Sequence, residues 1–148
     1  PQIQRIILCI LYLGEGAKYK STKDLRLTNS DPDIIQLYLK LLFDLYKIET
    51  SKMRVRIQAR NDQNINKLVA YWKKIINIPS IRFYPTYIDK RTSYIKTTRK
   101  KYMGVCTIIY FNTSIQIELE MLSKLIINEI IHRQEDFSNF VQRWHKTN

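Results

Sequence analysis

The chain opens with a segment that has almost no polar residues. Residues 3–16 contain only two polar side chains before Gly14. A helix that is apolar all round is buried on several sides, so we expect a central helix here, although it is too short to cross a bilayer. At its end Glu15 stands between Gly14 and Gly16, which lack a Cβ and allow another backbone to approach. A carboxylate at that buried end needs a partner, a proton or a metal ion.

Two internal segments repeat apolar residues at i, i+3, i+4 and i+7, the spacing of a core-facing helix. The first spans about residues 32–46, with Asp31 as its N-cap and Pro32 at its first position. The second spans about residues 63–77 and is capped by Asn61-Asp62. The side chains expected to face the core are Ile34, Leu37, Tyr38, Leu41, Leu42 and Leu45 in the first helix and Ile65, Leu68, Val69, Trp72, Ile75 and Ile76 in the second.

The C-terminal part predicts a strand followed by a helix. Residues 105–111 are strongly apolar and β-branched, which indicates a buried strand entered at Gly104. Residues 112–114 can cap a helix over about 115–132, and residues 137–144 suggest a short amphipathic tail helix. The expected buried stripe of the longer helix is Ile115, Leu119, Leu122, Ile126 and Ile130, widened by Ile127 and Ile131.

Two other stretches predict strands. Residues 17–29 fit a β-hairpin whose second arm points Leu25 and Leu27 to one side. Residues 80–87 begin extended and are interrupted by Pro85, which fits a strand end or an edge strand. Together with the helices, these strands predict an α+β chain.

Residues 51–60 alternate between apolar and cationic side chains with the strand period of two. The bland interpretation is a solvated edge strand, since cations on an edge block aggregation. Four cations without an acid exceed what solubility requires, and we favour a face that contacts nucleic acid. The apolar set is Met53, Val55, Ile57 and Ala59, and the other face carries Lys52, Arg54, Arg56, Gln58 and Arg60.

Residues 89–102 form a strongly basic segment without a helical stripe. A long loop or hairpin tip is expected, either solvated or in contact with a polynucleotide. Tyrosines among the cations favour the second interpretation. The tyrosines are Tyr87, Tyr94 and Tyr102, and the cations are Lys90, Arg91, Lys96, Arg99, Lys100 and Lys101.

The length and the net charge of the chain narrow the class of protein. The 148 residues fit a single domain over 1–148, and the start at Pro1 rather than methionine suggests an absent upstream domain. A net charge of +12 and a pI near 9.8 indicate a polyanionic partner, nucleic acid first and an acidic membrane surface second. No signal peptide is recognisable, and an intracellular location in a bacterium, phage or organelle is expected.

Few chemical motifs stand out in the rest of the chain. Cys9 and Cys106 lie in apolar segments, which predicts free thiols in the core rather than a zinc site or a disulfide. His132 and His145 have no matching partner and are expected on the surface. The sequence has no P-loop, dinucleotide-binding fingerprint or nucleophile elbow.

Residues 11–16, Leu-Tyr-Leu-Gly-Glu-Gly, resemble the second half of the motif of the LAGLIDADG homing endonucleases. Leu13 stands where that family often has an additional acid. The segment around Glu15-Gly16-Ala17-Lys18, with Asn29-Ser30-Asp31-Pro32, is also similar to bacterial proteins that combine a helix-turn-helix region with a LAGLIDADG-like domain. The resemblance implies a central acid-tipped helix at a dimer interface and an antiparallel β saddle lying on DNA.

The resemblance also implies an activity. Glu15 matches the catalytic acid and metal ligand, and Leu11, Gly14 and Gly16 match the helix interface. A chain with one such motif would be a homodimer that hydrolyses double-stranded DNA with Mg²⁺ or another divalent metal at a pseudopalindromic site. The alternatives are a DNA-binding regulator that does not cleave and, third, an RNA-binding or splicing role. The expected DNA contacts are Lys18, Lys20, Lys23, Arg26, Lys52, Arg54, Arg56, Gln58, Arg60, Arg82, Lys90, Arg91, Lys96, Arg99, Lys100 and Lys101.

Overall fold

A computed structural model describes residues 1–15, 23–92, 96–98 and 101–132. These residues form four α-helices and a five-stranded sheet, so the predicted α+β class is confirmed. In chain order the elements are α1 (Gln2–Glu15), β1 (Leu25–Asn29), α2 (Pro32–Leu45), β2 (Met53–Arg60), α3 (Ile65–Ile76), β3 (Arg82–Phe83), β4 (Tyr87–Asp89), β5 (Val105–Tyr110) and α4 (Thr113–His132), with 3₁₀ turns at Thr50–Lys52 and Lys90–Thr92. The first arm of the expected hairpin and the expected tail helix lie outside the described residues.

The sheet is mixed, and the expectation of a purely antiparallel saddle is wrong. The strand order is β1-β5-β2-β3, with β4 also beside β2. β5 runs antiparallel to both β1 and β2, whereas β3 and β4 run parallel to β2. The reason is the crossover through α3, because a helix between two strands returns the chain to the sheet in its original direction.

The core lies between one face of the sheet and the helices. The inward residues of β2 predicted by the period of two, Met53 to Ala59 in alternation, are all buried. Trp72 of α3 is fully buried and donates a hydrogen bond from Nε1 to the carbonyl oxygen of Met103 at 2.7 Å, which confirms its place in the core. Cys9 and Cys106 are buried free thiols, as predicted.

The helix caps were predicted in part. The Asp31 side chain caps α2 by accepting from the backbone N–H of Asp33, as expected. α3 is capped by Asn64 rather than by Asn61-Asp62. The Asp62 carboxylate instead accepts from the backbone N–H and the hydroxyl of Thr97, at 2.6 and 2.7 Å, and these hydrogen bonds lower its pKa.

Two of the expected helical stripes need correction. In α2 the buried set includes Ile35 and Leu39, whereas Leu37 is exposed. α2 packs against both α1 and α3, so its buried arc is rotated from the predicted stripe. In α4 the buried residues end at Ser123, and the more C-terminal isoleucines Ile127, Ile130 and Ile131 are exposed.

Candidate nucleic-acid interface

The face of the sheet opposite the helices, which we name the outer face, is cationic. On each strand the residues that alternate with the buried ones point to this side. In the register, Arg26 of β1, Ile109 of β5, Arg54 of β2 and Arg82 of β3 form one row across it, and Thr28, Thr107 and Arg56 form the next. The outer face, as described, comprises Arg26, Thr28, Arg54, Arg56, Gln58, Arg60, Arg82, Tyr87, Asp89, Val105, Thr107 and Ile109.

β2 is an interior strand of this sheet. β5 lies on one side of it, and β3 and β4 lie on the other. The interpretation of residues 51–60 as a solvated edge strand is therefore wrong, because the cations of β2 have no free edge to protect. Three arginines, Arg54, Arg56 and Arg60, share the outer side of this central strand.

Ile109 shows how the outer face is covered. It is only 2% exposed, yet it is not a member of the core cluster on the helical side. Its neighbours in the register are Arg26 and Arg54. Arginine stems cover apolar neighbours while the guanidinium stays in water, so this pair supplies both the cover of Ile109 and two of the cations of the face.

Several of the predicted cations are held by partners in the chain. Arg26 donates two hydrogen bonds to the buried Asp24, at 2.6 and 3.0 Å, and the Asp24 carboxylate raises the pKa of Arg26. Arg54 donates from Nη1 to the carbonyl oxygens of Ser51 and Met53, at 2.7 and 2.8 Å. Lys52 lies in the 3₁₀ turn before β2, where it forms a 2.7 Å ion pair with Glu49.

Two other arginines stack on tyrosines. The Arg56 guanidinium carbon lies 5.0 Å from the ring centre of Tyr84, and that of Arg60 lies 5.2 Å from the ring centre of Tyr102. Within the described part of the chain, the guanidinium of Arg56 makes no hydrogen bond, so its N–H groups remain available to a ligand. Stacking on an aromatic face restricts the orientation of the guanidinium plane.

β4 adds the acid of the outer face. Asp89 is in register with Arg60 and is 9% exposed. Its carboxylate accepts from Nε and Nη2 of Arg91, at 3.0 and 3.1 Å, and these bonds with the Arg91 backbone N–H lower the pKa of Asp89. It also accepts a 3.4 Å hydrogen bond from Nε2 of Gln58. Arg91 is thus tied to this carboxylate.

The remaining predicted cations are distributed around the sheet. Lys23 precedes β1, Arg82 is on β3 and Lys90 is in the second 3₁₀ turn, and all three are exposed, as are Lys96 and Lys101. Lys18, Lys20, Arg99 and Lys100 lie outside the described residues. The sequence pattern did not identify Tyr84, Asp24 or Asp89 as members of the site. Tyr84 and Asp89 contact residues of β2, and the sequence pattern does not show which segments lie beside that strand. Asp24 binds Arg26, two residues away, but the direction of that side chain was unknown.

α1 is buried on one face only. Within a single chain, the expectation of a helix buried on several sides is therefore wrong. Leu8, Cys9 and Tyr12 are buried, whereas the opposite face is exposed. That opposite face, which we name the isoleucine face, consists of Ile3, Ile6, Ile7, Ile10 and Gly14. A Cβ on Gly14 would meet nothing within 4 Å, so the surface around it is open.

Glu15 is the last residue of α1, next to the isoleucine face, and it is exposed rather than buried. Leu11 is half-buried and packs against the chain's own core, and Gly16 lies outside the described residues. In the described part of the chain, no group of three or more His, Cys, Asp or Glu side chains could hold a metal ion. Glu15 is the one carboxylate that α1 itself carries at this end.

Comparisons with known proteins do not assign this chain to a family. No protein-family model, curated protein or solved structure matches this chain. Among the described helices, none combines the length and the apolar character that a membrane span requires.

Proposed function

We propose that this chain binds double-stranded DNA through the outer face of its sheet. The observation that carries the proposal is the interior position of β2, whose outer side bears Arg54, Arg56 and Arg60. The inward side chains of the same strand pack in the core, and the backbone of the strand is hydrogen-bonded to neighbouring strands on both sides. Edge protection does not explain cations at such a position, whereas phosphate and base contacts do.

The proposed active form is a homodimer that pairs two isoleucine faces. Ile3, Ile7, Ile10 and Gly14 lie on one side of α1, and such an apolar stripe is costly to leave in water. The open surface at Gly14 would let two such helices approach closely. A two-fold dimer would read a palindromic or pseudopalindromic site. We propose that the fold is a variant of the LAGLIDADG fold, with its mixed sheet as a departure.

Hydrolysis of DNA is the activity that the resemblance adds. Mg²⁺ is commonly held by one or two carboxylates together with substrate phosphates, so Glu15 of each protomer fits as its protein ligand. When bound, the metal would polarise the scissile phosphate and activate water. The chain's own contribution would be to hold the carboxylate at the end of α1 and the DNA on the cationic face.

A regulator that binds DNA without cleaving it is the second candidate. The feature that favours it is Leu13, which stands where the LAGLIDADG motif often has an additional acid. Both candidates use the same outer face and the same dimer, and they differ only in whether the bound duplex is then cut.

The deciding experiment selects bound duplexes from a randomised DNA pool in Ca²⁺ and then exposes the enriched duplex to Mg²⁺. For the endonuclease we expect a palindromic duplex that is cut by the wild type and left whole by Glu15→Gln, with unchanged binding in Ca²⁺. An enriched duplex that stays whole identifies the regulator. Failure to enrich any duplex, with retention of structured RNA in a parallel selection, overturns the DNA proposal.

A further inference from the structure

On the outer face, the protein itself holds several polar side chains in place without using up their ligand-binding groups, and two of these lie next to each other in the middle of β2. These are Arg56, which stacks on Tyr84, and Gln58, which donates to Asp89. They are neighbours on the outer side of β2, two residues apart along the strand. We infer that Arg56 and Gln58 are the base-reading residues of this face, Arg56 for a guanine and Gln58 for an adenine. This inference rests on the proposed binding of DNA.

Asp89 sets the orientation of the Gln58 amide. Arg91 donates hydrogen bonds to both carboxylate oxygens of Asp89, at 3.0 and 3.1 Å. These bonds fix the orientation of the carboxylate and lower its pKa, which keeps it ionised. An ionised carboxylate only accepts hydrogen bonds. The Gln58 amide therefore has to turn its Nε2 toward Asp89, since the flipped amide would place two oxygens against each other.

This orientation leaves a defined pair of groups for a ligand. One N–H of Gln58 Nε2 goes to Asp89, at 3.4 Å. The second N–H and the carbonyl oxygen Oε1 remain, side by side. Adenine presents a matching donor at N6 and acceptor at N7 in the major groove, and glutamine binds this edge with two hydrogen bonds. Cytosine offers only its N4 donor there, so adenine is preferred.

Arg56 is held in a different way. The Tyr84 ring, 5.0 Å from the guanidinium carbon, supports the guanidinium plane. Two other arginines of the outer face differ, because Arg26 is paired with Asp24 and Arg54 is bound to two backbone carbonyl oxygens. A guanidinium with an open edge binds O6 and N7 of guanine with two hydrogen bonds.

The neighbours of Arg56 leave room for a base pair. Thr28 and Thr107 lie in the same row of the sheet, and their hydroxyls hydrogen-bond to each other at 2.9 Å. These side chains are shorter than the arginines of the row that contains Arg26, Arg54 and Arg82, so the surface beside Arg56 is lower than that row. The spacing of the two readers is set by the strand: two residues cover about 6.7 Å, which equals about two base-pair steps of 3.4 Å. The guanine and the adenine should therefore be separated by about one base pair.

The test begins with the consensus of the duplex selection and measures affinity by fluorescence anisotropy. We expect the wild type to discriminate at one guanine and one adenine position. Gln58→Ala should lose about 5- to 150-fold of the preference at the adenine only, and Arg56→Ala should lose a similar preference at the guanine only. Arg82→Ala, a cation of the neighbouring row, is the matched control and should weaken all duplexes equally.

Asp89 and Tyr84 would not contact a base themselves but hold Gln58 and Arg56 in position. Their variants are therefore tested by the preference for one base, which a general loss of structure would not change selectively. Asp89→Asn should lose adenine preference in the wild-type background but lose nothing further in the Gln58→Ala background. Tyr84→Phe should retain guanine preference, whereas Tyr84→Ala should lose it. Replacement of the adenine by 7-deazaadenine should weaken binding of the wild type and leave Gln58→Ala unaffected.

The outcomes separate this inference from the proposed function. Unchanged base preferences in Gln58→Ala and Arg56→Ala, or equal binding of all duplexes by the wild type, overturn the inference while DNA binding stands. A wild type that binds no duplex overturns both.

Discussion

Gly104 lies directly against the backbone of Gln58. A Cβ at position 104 would be 2.6 Å from the Gln58 carbonyl oxygen, and the φ angle of Gly104 is +73°. The start of β5 therefore approaches β2 so closely, and in such a backbone conformation, that only glycine fits.

Gly104→Ala should destabilise the protein by about 2 kcal/mol or more, because strain in φ adds to a backbone clash. The measurement is the free energy of unfolding in urea. Ala70→Gly is the control: it makes the reverse exchange at an exposed position of α3, and it should lower stability by only about 0.5 to 1 kcal/mol. Equal effects of the two substitutions would contradict the geometry at position 104.

Tyr38→Phe should stabilise the chain. The Tyr38 hydroxyl is fully buried and has no hydrogen-bond partner in the described structure, and a buried unsatisfied group costs about 1 kcal/mol or more. Tyr110→Phe is the opposite case, because the Tyr110 hydroxyl accepts from the backbone N–H of Glu49 at 3.2 Å. Thermal melts should show a higher midpoint for the first variant and a lower one for the second. A fall in both would disprove the assignment for Tyr38.

Stability should fall at alkaline pH through Tyr12. Burial, followed by the nearby carboxylates Glu120 and Asp24, raises the pKa of Tyr12 from 10 to about 12. The unfolded chain therefore loses its phenolic proton before the folded one, and this contribution, full below pH 10, is lost as the pH rises toward 12.

In Tyr12→Phe, the midpoint of thermal unfolding should fall less steeply from pH 10 to pH 12. Below pH 10 the two proteins should show the same dependence on pH, which serves as the internal control. Parallel curves over the alkaline range would count against the shift.

DNA binding should weaken steeply with salt. Each phosphate contact contributes about 0.9 to the slope of log affinity against log salt. Arg60→Gln and Arg82→Gln, both on the outer face, should each reduce that slope by about this amount. Lys74→Gln removes the same charge from the exposed side of α3 and should leave the slope unchanged. A slope that responds equally to all three would indicate binding through net charge alone.

The isoleucine face should govern the oligomeric state. Ile10 is 53% exposed in the single chain, and Ile10→Glu should convert the dimer into a monomer in sedimentation velocity because two charges would be buried at the interface. Leu37→Glu, at an exposed apolar position of α2, is the control and should remain a dimer. A wild type that sediments as a monomer would exclude the proposed assembly.

Sequence patterns of a few residues predicted the features that depend on one helix or strand alone. The period of two in residues 53–60 identified both faces of β2, and Asp31-Pro32 identified the start of α2. The cap of α3 was not predictable in the same way, because several polar residues compete there. Asp62 is recruited by Thr97, and Gln63 binds the backbone of Arg60 and of Tyr102, which leaves Asn64 as the cap.

Contacts between strands were beyond the sequence pattern. The alternation in β2 does not specify whether its neighbours run parallel or antiparallel, since the side-chain period is the same in both. The pairing of Gln58 with Asp89 depends on that choice, as does the row that joins Arg26, Ile109 and Arg54. The cationic character of the site was therefore predicted, whereas the division of its cations into held and available groups required the structure.

The interior position of β2 has a consequence for changing the target. Its backbone is hydrogen-bonded on both sides and its inner residues are buried, so among its outward side chains only Arg54, which covers Ile109 and binds two backbone carbonyl oxygens, is tied to the fold in this way. Positions 56, 58 and 60 can therefore be varied together at little cost in folding. A library randomised at these three codons offers a route to retargeting the proposed DNA-binding face, in which new sequence preferences arise on an unchanged scaffold.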